Sequence, residues 1–129
     1  MNYKDVEKFC LSLPGAKLDM PWSDTRVFKI GGKMFAVIVL ESNRPWGLWF
    51  KAGAASYAIL TQIPGIGPCP YFHRAHWVEM EGLKPLKPNE LKAYLARAHA
   101  LVAAKLSRKM RKSLGIAEAM PDDDANPFL

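Results

Sequence analysis

Three residues in the second half of the chain carry side chains that bind metals. Cys69, His73 and His76 follow one another at the spacing C-x3-H-x2-H, and thiolate and imidazole are ligands that zinc prefers. A structural zinc site needs a fourth ligand, and the three residues lack the paired spacing of known zinc sites. On a strand, His73 and His76 would also point to opposite faces. We therefore expect neither a metal nor another cofactor.

The sequence offers no motif for nucleophilic or metal-assisted catalysis. It contains no G-x-S-x-G, no P-loop and no H-E-x-x-H. Gly31-Gly32-Lys33 has residue types found in phosphate loops, but it joins two predicted strands and opens no helix. A tight hairpin turn explains it better. We predict no catalytic residues and expect that the protein is not an enzyme.

Basic side chains could contact phosphates. The chain has 18 basic and 12 acidic residues, and four of the acidic ones follow Lys112, the last basic residue. The part up to Lys112 therefore carries 18 basic residues against eight acidic ones, and a body this basic attracts polyanions. The predicted contacts lie on hairpins and near a helix C-terminus: Lys29, Lys33, Arg44, Lys51, Lys105, Arg108, Lys109, Arg111 and Lys112.

Two interpretations of the basic helix end remain open. Cations suit the negative end of a helix dipole, so residues 105–112 can be a solvated helix terminus. The same five charges in eight residues can instead form a phosphate-contacting patch. No element is predicted to read base edges, so a site here would bind DNA with low sequence specificity.

Tryptophans form the alternative site. Trp49 and Trp77 lie on predicted strands whose alternation groups them with Lys51 and Glu79, and not with the aliphatic neighbours. They are expected on the sheet face away from the helices, where an apolar patch would bind a small molecule or a protein. Two covers for this face are open. One is a second copy of the chain in a homodimer, and the other is the 65–75 loop or the C-terminal helix of the same chain.

The strands that position these residues centre on a hairpin over residues 26–40. Gly31-Gly32 permits the positive φ of a tight turn. Met34–Leu40 has no polar residue, which predicts a central strand with cover on both faces. Trp46–Lys51 and His76–Glu81 alternate and are predicted as two further strands.

Helices are predicted on both sides of these strands. Asn2 can cap a first helix that ends at Pro14-Gly15, with Cys10 as a small core residue. The other predicted segments are a connector at 16–25, a short helix at 54–62, a loop at 65–70, a short strand near Tyr71 and the longest helix at 89–113. The order α-β-β-β-α-β(-β)-α predicts an α+β two-layer sandwich, an antiparallel sheet with helices on one face.

Composition fits one cytoplasmic domain. The chain has 129 residues, half of them apolar, which suffices for a core without a disulfide or metal. No apolar run approaches the ~20 residues of a membrane span, and the polar N-terminus is unlike a secretory signal. Cys10 and Cys69 show no disulfide pattern and are expected to be reduced. We predict one domain over residues 1–116 and an acidic, disordered tail over 117–129.

Several of these stretches together resemble the MmcQ/YjbR family. They are PWSDTRVFKIGGKMFA at 21–36, Leu48–Lys51, GPCPYFHRAHWVEM at 67–80 and ALVAAKLSRKMRKSLG at 100–115. The first is similar to the family's proline-aromatic, valine-phenylalanine-lysine and glycine-lysine-methionine-phenylalanine signature. The last is similar to the basic C-terminal helix of one branch of the family. The resemblance spans nearly all of residues 1–116.

The resemblance implies a CyaY-like or secretion-chaperone-like α+β fold, in agreement with the element order derived from the residues. It also implies a DNA-binding protein with a double-wing motif. The sequence departs from the family pattern at two places. Ser23 stands where a glycine is usual, and Ala98-His99 replaces a serine-tyrosine pair in the last helix. A ligand site that uses either feature in relatives would be altered here.

Overall fold

The first helix begins as the sequence predicts. A computed structural model describes residues 1–21, 24–41 and 44–116, with Arg44 described by its backbone alone. Helix α1 (Tyr3–Ser12) is capped by Asn2, whose side chain accepts a hydrogen bond from the Asp5 N–H. In return, the Asn2 N–H donates to the Asp5 carboxylate. Cys10 is fully buried on the inner face of this helix, so its predicted role as a small core residue is confirmed.

Six strands form one antiparallel sheet in the order β1-β2-β3-β4-β6-β5. The strands are β1 (Ala16–Asp19), β2 (Thr25–Ile30), β3 (Lys33–Glu41), β4 (Arg44–Lys51), β5 (Ile66–Pro68) and β6 (Trp77–Glu81). The later helices are α2 (Ala54–Leu60), α3 (Pro88–Ala103) and α4 (Arg108–Ser113), with one 3-10 turn at His73–Ala75. The predicted α+β fold with an antiparallel sheet is confirmed.

The β2–β3 hairpin occupies the middle of the sheet's meander. Gly31 and Gly32 have φ of +58° and +82°, which the tight turn requires and which glycine adopts without strain. Residues 35–38 of β3 are all buried, and β3 pairs with β2 on one side and β4 on the other. The predicted central strand with cover on both faces is therefore confirmed.

The two faces of the sheet have different covers. The main core lies between one face and the helices, where Phe50 and Val78 of the sheet belong to one cluster with Leu95 of α3. The opposite face carries a smaller cluster that includes Trp77 and Cys69. The alternation predicted for β4 and β6 is confirmed, since Leu48 and Val78 face the helices, whereas Trp49 and Trp77 do not.

Two strands lie in segments for which the sequence predicts loops. β1 falls within the predicted connector 16–25, and β5 falls within the predicted loop 65–70. The extra strand predicted near Tyr71 is therefore wrong in its position. Both strands are short and lie at the edges of the sheet, where a hydrogen-bonded neighbour defines the strand more than its own alternation does.

The single long helix predicted over residues 89–113 is wrong. Helix α3 ends at Ala103, and α4 begins after Ser107, whose hydroxyl accepts a hydrogen bond from the Met110 N–H. Between the two helices Leu106 is 6% exposed and packs into the main core. The chain bends because burying Leu106 there competes with continuing the helix.

The predicted start of β6 is also wrong. His76 has a left-handed backbone, with φ of +60°, and its ring packs edge-on against Tyr57 at 5.4 Å between centroids. It lies outside the strand, so its predicted alignment with Val78 and Met80 does not occur. Strand β4 begins at Arg44, earlier than predicted.

Some predicted features lie outside the described residues. These are the acidic tail at 117–129, Trp22 and the family departure at Ser23. In the part of the chain that is described, no helix combines the length and apolar character needed to cross a membrane.

Candidate functional site

The β2–β3 turn lies against the junction of α3 and α4. A Cβ atom on Gly31 would lie 2.7 Å from both Cδ atoms of Leu106 and 2.9 Å from Met110 Sδ. The missing side chain at Gly31 therefore lets the backbone of the turn approach the start of α4. This contact brings the basic hairpin next to the basic helix.

Exposed basic side chains surround this contact. Lys33 follows the turn, and Lys17 of β1 lines a cleft of about 300 Å³ together with Lys29, Gly31 and Leu114. Further exposed cations close to this contact follow α3 or lie on α4. We define the basic end as Lys17, Lys33, Lys105, Arg108, Lys109 and Lys112. Sequence reasoning missed Lys17 because it did not recognise β1 as a strand.

Lys29 lies beside the basic end but is already paired. Its Nζ lies 2.8 Å from Asp19 Oδ2 on the neighbouring strand β1. The hydrogen bond from Lys29 lowers the pKa of Asp19 below its ordinary value, which favours the ionised carboxylate. Lys29 therefore offers less uncompensated charge than Lys33.

Arg111 has a structural contact that the sequence did not reveal. Its Nη1 donates to the carbonyl oxygens of Leu106 at 2.6 Å and Ala104 at 3.3 Å. These carbonyls follow the last turn of α3, where backbone oxygens lack partners within the helix. The guanidinium therefore fixes α4 against the end of α3.

The other two predicted phosphate contacts lie away from α4. Lys51 ends β4, and its Nζ donates to the Ala75 carbonyl oxygen at 2.8 Å on the far face of the sheet. Arg44 starts β4 opposite Glu41, whereas Lys33 is at the other end of β3. The nine residues of β3 separate the two ends by about 25 Å. The structure thus groups the helix cations with Lys33, but not with Arg44.

The second candidate region is the sheet face away from the helices. Trp77 is 5% exposed, because Cys69 and Phe72 from the preceding loop pack on it. The Phe72 and Trp77 ring centroids lie 5.6 Å apart. The loop over 65–75, one of the two covers considered from the sequence, thus covers Trp77 within one chain. Trp49 remains half-buried beside it.

A cleft of about 680 Å³ lies next to Trp49. It is lined by aromatic, aliphatic and two polar residues: Asp24, Thr25, Met34, Val37, Trp49, Tyr71 and Phe72. The Trp49 indole Nε1 donates to Glu79 Oε2 at 2.6 Å, and its ring meets Phe72 edge-on at 6.2 Å. We call this region the aromatic cleft.

Two features of the aromatic cleft carry an energetic cost. Tyr71 is 89% exposed and has φ of +67°, a left-handed backbone that costs a residue other than glycine about 1 kcal/mol or more. Thr25 is only 8% exposed, and its Oγ1 has no hydrogen-bond partner among the described residues. An unpartnered buried hydroxyl destabilises a fold by about 1–3 kcal/mol. Costs of this kind concentrate at functional sites.

The three candidate metal ligands considered from the sequence do not converge. His73 is exposed, whereas His76 packs on Tyr57. Cys69 is buried, and burial, followed by the nearby Glu79, raises the pKa of its thiol to about 12. Among the described residues, no group of three or more histidine, cysteine, aspartate or glutamate side chains could hold a metal ion.

Comparison with known proteins places the chain in a family. The YjbR family model matches residues 11–101. The chain belongs to the YjbR family. No curated protein matches this YjbR protein.

Two solved structures share the fold of this YjbR protein. The crystal structure of a Deinococcus radiodurans protein with the domain DUF419 is similar at a TM-score of 0.80 and 24% identity. The similarity covers 92% of this chain and 91% of that chain. The crystal structure of a Pseudomonas syringae protein is similar at a TM-score of 0.62 and 21% identity, over 78% of this chain and 98% of that chain.

One departure from the family pattern has a structural explanation. His99 is 5% exposed, its Nε2 lies 2.7 Å from the Pro14 carbonyl oxygen, and its ring meets Phe35 edge-on at 5.3 Å. Burial lowers the pKa of His99, so the neutral ring that donates to Pro14 is favoured. His99 therefore joins α3 to the segment after α1.

Proposed function

We propose that this YjbR protein binds DNA with low sequence specificity through its basic end. The observation that carries the proposal is the close approach of Gly31 to Leu106 and Met110. This contact brings the basic hairpin next to the basic helix, although the two are far apart in the sequence. A surface of this kind attracts a phosphate backbone before any base is read.

The charges at the basic end favour an anionic partner. Asp19, the acidic residue in the cleft beside Lys17, is already paired with Lys29. The exposed lysines nearby therefore meet little opposing charge from the described residues around them. Flexible, solvated lysines contact phosphates as point charges and release counterions when they bind.

Low sequence specificity follows from the shape of the basic end. Helix α4 has six residues, and its inner side is held to α3 by Arg111. It is too short to lie along a major groove as recognition helices do. Contacts at this surface would therefore fall on phosphate and sugar, with little readout of base edges.

The experiment compares two double variants that change charge equally. Lys109→Glu with Lys112→Glu alters the basic end, whereas Lys4→Glu with Lys84→Glu alters exposed lysines on α1 and after β6. Anisotropy of a labelled DNA duplex, measured over a range of salt concentrations, gives the affinity and its salt slope. We expect the first variant to lower the salt slope by about two, which corresponds to two lost phosphate contacts. The control should retain most of the slope.

Two results would contradict the proposal. The first is no duplex binding by the native protein at low salt. The second is an equal loss in both variants, because net charge alone would then explain the binding. Thermal melting of all three proteins checks that the exposed substitutions leave the fold intact.

A further inference from the structure

We propose that the aromatic cleft binds a small organic cation, a protonated amine carried on an apolar or aromatic body. This site is separate from the basic end, because none of its lining residues belongs to the basic end or to the cleft beside Lys17. Its volume of about 680 Å³ falls in the range of small-molecule sites, and its lining is mainly apolar. An apolar body would therefore fit against Met34 and Val37.

The aromatic rings favour a positive charge. Trp49, Tyr71 and Phe72 all line the cleft, and ring faces attract cations. The Trp49 N–H donates to the Glu79 carboxylate at 2.6 Å. This bond pushes electron density into the indole and makes its face a better partner for a cation.

The polar lining also favours an amine. Asp24 lines the cleft and forms no ion pair among the described residues, and no lysine or arginine lines it there. The cleft is therefore acidic on a protein whose net charge is +6. Thr25 Oγ1, buried and without a partner in the described structure, can accept a hydrogen bond from an ammonium N–H.

The probes are three compounds with one ring and similar lengths: phenethylammonium, neutral phenylacetamide and anionic phenylacetate. Each is titrated into ¹⁵N-labelled protein while the indole cross-peak of Trp49 is followed by NMR. We expect saturable shifts with phenethylammonium, weaker binding of the amide and the weakest binding of the carboxylate. The native protein without a probe should show a Trp49 cross-peak that does not depend on protein concentration.

Three variants locate the groups that recognise the amine. Asp24→Asn should weaken phenethylammonium binding about threefold and leave phenylacetamide unchanged. Thr25→Val removes the unpartnered hydroxyl at nearly constant shape. It should weaken the binding of phenethylammonium about tenfold and raise the melting temperature of the protein. Glu81→Gln is an exposed change on β6 outside the cleft lining. It should alter the binding of neither phenethylammonium nor phenylacetamide.

Several outcomes would overturn the inference. Phenylacetate binding as tightly as phenethylammonium would show that the cleft does not select a cation. No Trp49 shift with any probe would show that the cleft is not a small-molecule site. Equal weakening by Asp24→Asn and Glu81→Gln would reduce the effect to general charge. A Trp49 cross-peak that moves with protein concentration would instead identify the face as a contact between copies of the chain.

Discussion

Substituting Gly31 tests the contact on which the basic end depends. In Gly31→Ala the new Cβ would lie 2.7 Å from both Leu106 Cδ atoms, at a backbone φ of +58°. The left-handed backbone costs alanine about 1–2 kcal/mol, and crowding in a packed core costs about 1–3 kcal/mol. Alanine also makes the unfolded chain less flexible than glycine does, which stabilises the folded state by about 0.4–1 kcal/mol. We therefore expect the free energy of unfolding to fall by about 2 kcal/mol.

Gly32 provides the matched control in the same turn. Its φ is +82°, but a Cβ placed there would meet nothing within 4 Å. Gly32→Ala therefore carries the backbone cost without the crowding. Because the less flexible unfolded chain offsets part of this cost, the free energy of unfolding should fall by less than about 1 kcal/mol.

Urea unfolding followed by circular dichroism measures both losses. With a slope of about 1–3 kcal/mol per molar urea, Gly31→Ala should lower the midpoint by about 1 M and Gly32→Ala by much less. In a Leu106→Ala background the cost of Gly31→Ala should shrink, because the crowded methyl groups are gone. Equal losses for the two glycines, or an undiminished loss without Leu106, would refute the close contact between the turn and the helix junction.

Two further predictions concern buried polar contacts. Burial lowers the pKa of His99, so as the pH falls this histidine is protonated in the unfolded chain before it is protonated in the folded one. The free energy of unfolding should therefore be highest above about pH 6.5 and fall as the pH drops below that value. Urea titrations at about pH 8 and pH 5.5 measure this fall, and His99→Phe should remove the part that comes from His99. An unchanged pH dependence in His99→Phe would show that His99 is not its source. Arg111→Met should lower the free energy of unfolding by about 1.5 kcal/mol, because two carbonyls at the end of α3 lose their donor. Lys112→Met is exposed and should change it little, so equal urea midpoints for these two variants would count against the cap.

The local features of the fold were predictable from short stretches of sequence. Asn2 forms the predicted cap, and Gly31-Gly32 forms the predicted turn. The alternation of Leu48 and Trp49 assigns them to opposite faces, as predicted. Each of these depends on residues a few positions apart, where backbone sterics and side-chain periodicity act directly.

The edge strands and the helix break were not predictable in this way. β1 and β5 become strands because β2 and β6 offer them hydrogen bonds. The predicted long helix ends at Ala103 because Leu106 is buried beneath the hairpin turn and Arg111 donates to the carbonyls of Ala104 and Leu106. In both cases contacts between distant segments outweigh local propensity.

The sequence by itself determined the fold class, the alternation of the strands and the types of residue available for binding. It named the basic residues and the two tryptophans, but not their neighbours. Only the tertiary structure placed Lys17 and Lys33 beside α4, left Arg44 at the other end of the sheet and covered Trp77 with Phe72. The physical reason is that a binding surface is assembled from segments far apart in the chain. Their approach is decided by packing over the whole domain, to which no single stretch of sequence gives access.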